Sequence, residues 1–147
     1  MRVSESAPAY AAGGISHLMG IELDSAGKII RQVRAGLPPA ALEPLQNALD
    51  IPRSELAEAI SIPARTLARR QKETRLSPDE SDRVLRLARL FDLALRLFEG
   101  DEAKARAWFK APSRALGGES PLQYSQTEPG GREVENLAGR LEHGIFS

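Results

Sequence analysis

The chain has 147 residues and a formal net charge of zero, with 20 basic and 20 acidic side chains, and few of its apolar residues are aromatic. This length allows one ordinary domain or two small domains that share a core, and the balanced charge means that any affinity for nucleic acid has to come from a local patch. The chain has no cysteine, which excludes disulfides and thiolate metal sites and leads us to expect a cytoplasmic protein.

The N-terminal segment, residues 1–16, is rich in alanine, glycine and serine and is predicted to be a flexible tail, with order beginning near Leu18. It lacks the apolar run of a signal peptide. No stretch of the sequence approaches the roughly 20 apolar residues that a membrane-spanning helix needs. We therefore expect neither a secretory leader nor a membrane anchor.

Two short helices are predicted after this tail. The first covers residues 28–34 with one apolar face, and Gly36 ends it. The second opens at Pro38 and Pro39 and places leucines on one face. A further proline, Pro44, falls inside this pattern and argues against a single straight helix.

The next two segments, residues 51–60 and 64–73, predict a helix-turn-helix. Each has apolar residues on one face, and about three residues separate them, which is the spacing of that motif. Ser54 or a neighbour is expected to cap the first helix, and Ser61 the second. We assign a helix-turn-helix domain of the DNA-binding type to residues 17–76.

The second helix of this motif concentrates basic charge. Between Pro63 and Arg75 there are five basic residues and one acidic residue, a net charge of +4. Such a helix suits the major groove of DNA, where cations contact phosphates and arginine forks bind guanine edges. The candidate DNA-binding residues are Arg65, Thr66, Arg69, Arg70 and Lys72. Two alternatives stay open, namely a helix face that basic residues merely solvate and a surface for a protein partner.

A long helix is predicted to connect the two halves of the chain. Ser77 and Glu80 form a capping box, and the helix runs to about Glu99, where Gly100 ends it. Its apolar stripe is wider than that of a surface helix, so we expect a spine on which both halves pack. Four arginines are expected on its solvated side, namely Arg83, Arg86, Arg89 and Arg96.

Three short helical segments are predicted after the spine. They are residues 101–110, a segment that starts at Ser120, and a last one into which the Gly130-Gly131 pair leads. No segment has the pattern of a strand. We therefore predict an all-α fold, with a helix-turn-helix followed by the spine and a small helical C-terminal domain in residues 77–147.

Nothing in the sequence predicts catalysis, a metal or a cofactor. The two histidines, His17 and His143, are isolated from each other, and His143 is better placed to interact with the carbonyls at the end of the last helix. The glycine pairs are not followed by the lysine and hydroxyl residue of a phosphate-binding loop. We expect a protein that is not an enzyme.

The C-terminal module ends on an apolar segment. Residues 113–147 carry three basic and five acidic residues, a net charge of −2, beside a basic helix-turn-helix. This contrast indicates two different partners. From the residues alone, Ile145 and Phe146 either insert into a partner or pack back onto the core of the protein itself.

Seven stretches match a known family in their order and spacing. They are Gly36–Pro38, Arg65–Arg70, Leu76–Arg83, Ala107-Trp108, Ala115–Leu122, Gly131–Val134 and His143-Gly144. On these stretches the chain, from about Met19 to its end, resembles the Xre antitoxins of bacterial RES–Xre type II toxin–antitoxin systems. These antitoxins share the Xre/MbcA/ParS toxin-binding domain.

The resemblance implies an antitoxin with two partners. In the family, the C-terminal domain binds a RES-domain toxin, which resembles ADP-ribosyltransferases and degrades NAD⁺, and covers its active site. The helix-turn-helix of the family is Cro-like and represses the operon of the pair by binding operator DNA, commonly as a homodimer within a larger toxin–antitoxin complex. Residues 64–72 would then read DNA, and residues 101–147 would bind the toxin. The implied toxin-binding residues are Arg132, Arg140, His143, Gly144, Ile145, Phe146 and Ser147.

One alternative function stays open beside this one. A plain dimeric transcriptional regulator would have the same helix-turn-helix, and its C-terminal module would only dimerise. The two functions differ in whether the chain holds a second protein tightly.

Overall fold

The computed structural model describes residues 14–73 and 75–144 of the chain. Every regular element in those ranges is helical, so the prediction of an all-α fold is confirmed. The helices are α1 (14–19), α2 (Ala26–Ala35), α3 (Leu42–Leu49), α4 (Arg53–Ala59), α5 (Ala64–Arg70), α6 (Pro78–Leu97), α7 (Glu102–Lys110), α8 (Pro121–Tyr124) and α9 (Glu128–Glu142). Single 3-10 turns at Pro39–Ala41 and Arg114–Leu116 precede α3 and α8.

The long helix α6 is the spine of the fold, as its wide apolar stripe predicts. A complete capping box starts it, in which the Ser77 hydroxyl accepts from the Glu80 N–H and the Glu80 carboxylate accepts from the Ser77 N–H. Helices α2 and α3 pack on α6 from the N-terminal half, and α7 and α9 pack on it from the C-terminal half. Phe91 on α6 meets Phe109 on α7 edge to face, with ring centroids 5.4 Å apart. One hydrophobic core therefore serves both halves.

Cationic side chains join the two halves at the C-terminal ends of short helices. Arg83 on α6 donates from Nε to the carbonyl oxygen of Ile60, at the end of α4, over 2.8 Å. Lys110 on α7 donates from Nζ to the carbonyl oxygen of Asp50, at the end of α3, over 3.0 Å. The last carbonyls of a helix lack a partner within it, and its dipole favours a positive charge there. These contacts hold the helix-turn-helix in a fixed orientation on the C-terminal module.

A further contact of this kind corrects the prediction that the arginines of α6 lie on a solvated face. Arg86 is half-buried and donates from Nε to the Ser125 carbonyl oxygen and from Nη2 to the Gln126 carbonyl oxygen, both over 3.0 Å. Of the predicted four, only Arg89 and Arg96 are exposed. The short helices beside α6 leave carbonyls unsatisfied, and long arginine side chains cross the apolar surface to reach them.

The segment that is predicted to be a flexible tail becomes helical within its last residues. Helix α1 starts the described part of the chain at residue 14, whereas residues 1–13 lie outside the described residues. Gly14 packs directly on the carboxylate of Asp92, and a Cβ at this position would overlap Oδ1. The Ser16 hydroxyl accepts from the Leu23 N–H over 2.7 Å. The small residues that predict mobility therefore allow a close approach to α6.

The two predicted caps of the helix-turn-helix are wrong. The residues before α4 and α5 are Pro52 and Pro63, and neither helix has a side-chain cap. Ser54 lies inside α4, and Ser61 has a left-handed backbone, with φ +55°, in the turn. The Ser61 hydroxyl donates to the Gln126 carbonyl oxygen over 3.4 Å. Proline fixes φ at a value that suits the residue before a helix, so both helices start without a polar cap.

The Gly130-Gly131 pair is part of the first turn of α9 and not a joint in front of it. Thr127 caps this helix and accepts from the Gly130 N–H over 3.0 Å. A Cβ on Gly130 would overlap the Tyr124 carbonyl oxygen, and one on Gly131 would lie 3.1 Å from Cδ of Arg86. The glycines therefore permit a close approach of α9 to α8 and α6. The last helix is 15 residues long and is not short, contrary to the prediction.

Candidate nucleic-acid interface and C-terminal surface

Helices α4 and α5 form the helix-turn-helix, with residues 60–63 as its turn. Leu56 and Ala57 on α4 and Leu67 on α5 are buried, so the two helices cross closely. The left-handed backbone of Ser61 reverses the chain between them. This packing turns the opposite face of α5 towards solvent.

The outward face of α5 brings three of the predicted DNA-binding residues together. Arg65, Arg69 and Lys72 are all exposed, as is Ala68 between them. Their spacing of three or four residues places them on one side of the helix and its continuation. The ion pair of Arg69 with Glu73 is long, at 3.7 Å, and exposed, so it leaves the guanidinium free to exchange partners. This face has the chemistry to bind phosphates and base edges.

Arg70 does not join this face, because its guanidinium turns into the protein. It donates from Nε to Oε1 of Glu80 and from Nη1 to Oε1 of Glu73, both over 2.8 Å. Burial raises the pKa of Glu80, but hydrogen bonds from Arg70 and Ser77 outweigh it and hold that pKa below its ordinary value. Thr66, the fifth candidate, is half-buried. The structure thus makes Arg70 a residue that positions α5 on the start of α6.

The C-terminal end of α9 is open to solvent. His143 is its C-cap and donates from its backbone N–H to the Gly139 carbonyl oxygen over 3.1 Å. Gly144 follows with φ +74°, and both residues are exposed, while Arg140 in the last turn is half-buried. The other predicted toxin-binding residues at this end, Ile145, Phe146 and Ser147, lie outside the described residues.

Arg132 is separated from this end of the helix. It lies eight residues before Arg140, which is about 12 Å along the axis of an α-helix. Its Nη2 donates to Oε2 of Glu128 over 2.7 Å, and this hydrogen bond lowers the pKa of Glu128. The structure therefore brings Arg140, His143 and Gly144 together and leaves Arg132 at the other end of α9.

Among the residues that the structure describes, one buried acid has a raised pKa, and it does not form a catalytic site. Asp92 on α6 is buried, and its Oδ2 accepts from Nη2 of Arg96 over 3.0 Å. Its Oδ1 finds no partner among the described residues, and burial raises its pKa. It lies beneath Gly14 of α1, and the same part of the chain contains no cluster of three or more metal-binding side chains. No helix there is long and apolar enough to span a membrane.

Sequence reasoning missed the shared carboxylate of Glu80 and the arginines that bind helix ends. The Ser77–Glu80 capping box is visible in the sequence, but nothing in it indicates that Arg70 uses the same carboxylate. Only the position of the end of α5 beside the start of α6 brings these two side chains together. For Arg86 the sequence does contain a signal, because this arginine stands among the apolar residues of a helix whose wide apolar stripe predicts burial.

Two family models match the chain and together cover most of it. The first, described as an Antitoxin Xre-like helix-turn-helix domain, matches residues 28–89. The second, described as an Antitoxin Xre/MbcA/ParS C-terminal toxin-binding domain, matches residues 93–144. Fold and sites therefore define an antitoxin of two modules, whose toxin-binding domain implies a cognate toxin as partner. The two matched ranges meet within α6, on which both modules pack.

Known relatives agree with this class. The chain is 34% identical over 148 residues to Antitoxin Xre of Yersinia enterocolitica, and the alignment covers 100% of both chains. It is 38% identical over 113 residues to Antitoxin Xre of Photorhabdus laumondii, with 76% of each chain covered. Antitoxin Xre of Pseudomonas putida is 34% identical over 84 residues, which cover 56% of this chain and 52% of that one. The chain belongs to the Xre antitoxin family and is an antitoxin rather than an enzyme.

Proposed function

We propose that this antitoxin neutralises a RES-type, NAD⁺-degrading toxin in the cytoplasm by covering its active site. The toxin class rests on the resemblance of the chain to antitoxins of RES–Xre pairs. In this proposal the C-terminal module, residues 101–147, binds the toxin, and the end of the chain from Gly144 to Ser147 enters the toxin cleft. Arg140 and His143 would contact the rim of the cleft, and Arg132 would form a separate contact.

The observation that carries this proposal is the exposed end of α9 in a toxin-binding domain. Buried Val134, Leu137 and Ala138 hold α9 against the rest of the protein. His143 and Gly144 then project from this support as exposed residues. A segment presented by a packed helix loses less conformational freedom on binding than one at the end of a free tail. The support of the C-terminal segment by a packed helix favours its insertion into the toxin over a loose surface contact.

Co-purification tests this function against the alternative of a plain transcriptional regulator. The full chain carries an affinity tag and is co-expressed with the reading frame adjacent to its gene, as the candidate RES-type toxin. We expect a stable complex that survives size-exclusion chromatography and lacks NAD⁺-degrading activity. Elution of the chain alone, with the toxin active in other fractions, would support the regulator instead.

For the helix-turn-helix we propose binding to the operator of the toxin–antitoxin pair as a homodimer within the complex. The exposed face of α5 supports this, because it presents Arg65, Arg69 and Lys72 side by side. Thr66 and Arg70 would act from behind this face by setting the position of the helix. A variant with Arg65→Ala and Arg69→Ala should lose the operator shift in a gel assay. It should keep toxin binding, because α9 lies in the other module.

A further inference from the structure

We infer that a second basic surface, formed by Arg31, Arg34 and Arg75, continues the DNA-binding face of α5 and binds the phosphate backbone of DNA. Helix α2 supplies the first two arginines, both exposed, and contains no acidic residue. A cleft of about 350 Å³ runs along this helix, and both Arg31 and Arg75 line it. Glu22 and Lys28 line it as well, and these two side chains pair with each other. This inference rests on the proposed operator binding and extends it beyond the helix-turn-helix.

Arg75 is held in place at the end of α2. Its Nη1 donates to the Gly36 carbonyl oxygen over 3.0 Å. The backbone is fixed at the same point, since the Leu76 N–H donates to the Leu37 carbonyl oxygen over 2.9 Å. A guanidinium has five N–H donors, and this contact uses one of them. Arg31 lines the same cleft as Arg75, so two guanidinium groups are available for one phosphate segment.

The second basic surface lies within short reach of the outward face of α5. Arg75 follows Lys72 by three positions, which is a span of at most about 11 Å. One strand of DNA carries a phosphate about every 3.4 Å along the helix axis, so cations at this separation meet nearby phosphates of one strand. Lys28 is excluded from this surface because Glu22 and Asp24 neutralise it, at 3.2 and 3.1 Å.

A second copy of the chain fits this surface less well than DNA does. The large hydrophobic side chain of Ile30, 48% exposed, lies on α2 next to Arg31 and is the feature that a protein partner would bury. A symmetric contact here would bring two α2 helices together, each with the basic side chains of Arg31 and Arg34 exposed and with no acidic side chain. Like charges across such a contact repel, whereas a polyanion neutralises all of them.

The test compares two variants of the full chain with equal loss of charge. The first carries Arg31→Gln and Arg75→Gln, and the control carries Lys104→Gln and Arg114→Gln, two exposed positions of the C-terminal module. Binding is measured by fluorescence anisotropy on the operator duplex and on a scrambled duplex, between 50 and 200 mM salt. A single Arg31→Glu variant leaves the contact of Arg75 with Gly36 intact and guards against a folding defect.

We expect the Arg31/Arg75 variant and Arg31→Glu to bind both duplexes at least about ten-fold more weakly, with unchanged preference for the operator. The slope of log K against log salt should decrease by roughly 1 to 2 in the double variant. Binding equal to that of the control would overturn this inference and leave the role of α5 intact. Failure of the unmodified chain to bind either duplex would overturn operator binding itself. If Ile30→Ser abolished dimer formation while Arg31→Glu left DNA binding unchanged, the surface would be an interface with a second copy of the chain.

Discussion

Replacing two glycines of α9 by alanine is expected to change the stability of the protein in opposite directions. In Gly139→Ala the new Cβ meets nothing within 4 Å, so the helix gains the roughly 1 kcal/mol by which alanine exceeds glycine. In Gly130→Ala the new Cβ overlaps the Tyr124 carbonyl oxygen and lies 2.9 Å from Oγ1 of Thr127. The backbone of α8 or the cap of α9 then has to move, and we expect a net loss of about 2 kcal/mol.

Urea unfolding of both variants, followed by circular dichroism, measures the two effects. The chemical change is the same and the helix is the same, so the difference of about 3 kcal/mol between the variants reports the space around each glycine. Equal stability of the two variants would refute the reasoning. It would mean that α8 and α9 do not approach closely, and that the pair at Gly130 and Gly131 has no packing role.

Three further changes test single electrostatic contacts by urea unfolding. Glu80→Gln should lower the free energy of unfolding by about 2 kcal/mol near neutral pH. This difference from the unmodified chain should close as the pH falls below about 4 through the lowered pKa of Glu80, because the carboxylate stabilises the fold only while ionised. Arg86→Met should cost about 2 kcal/mol because the Ser125 carbonyl oxygen loses the Arg86 donor and the Gln126 carbonyl oxygen keeps only its 3.4 Å contact with the Ser61 hydroxyl. Arg89→Met at an exposed position should cost little. Asp92→Asn should stabilise the protein by about 1 kcal/mol at neutral pH and not near pH 4, because burial raises the pKa of Asp92 and disfavours its ionised form in the folded state. An equal effect of Asp92→Asn on stability at both pH values would contradict a raised pKa of Asp92 in the folded protein.

Short sequence patterns predicted the helix ends that are set by one or two particular residues. The Ser77 capping box marks the first turn of α6, and Ser120 forms a second one at the start of α8. Gly36 ends α2 with φ +90°, and its missing Cβ also leaves room for the Leu76 carbonyl oxygen. Pro44, which argues against one straight helix, lies in the first turn of α3 after the Pro39–Ala41 turn. These features depend on a few neighbouring residues, so sequence alone identifies them.

Contacts between elements could not be predicted in the same way. The charge cluster in α5 locates the proposed DNA-binding face, but a sequence does not show that Arg70 turns inward to Glu80 while Arg69 stays outside. The direction of each side chain depends on how the end of α5 lies beside the start of α6. For the same reason the Gly130-Gly131 pair has the composition of a joint, although close packing against α8 and α6 is what requires it.

Inhibition of purified toxin by a shortened antitoxin tests the central claim most directly. NAD⁺ degradation by the cognate toxin is measured with the full chain, with a chain that ends at His143, and with the Arg65→Ala, Arg69→Ala variant. We predict full inhibition by the first and third proteins, and loss of inhibition by the shortened chain while its helical content stays unchanged. Full inhibition by the chain that ends at His143 would contradict insertion of the C-terminal segment into the toxin's active site.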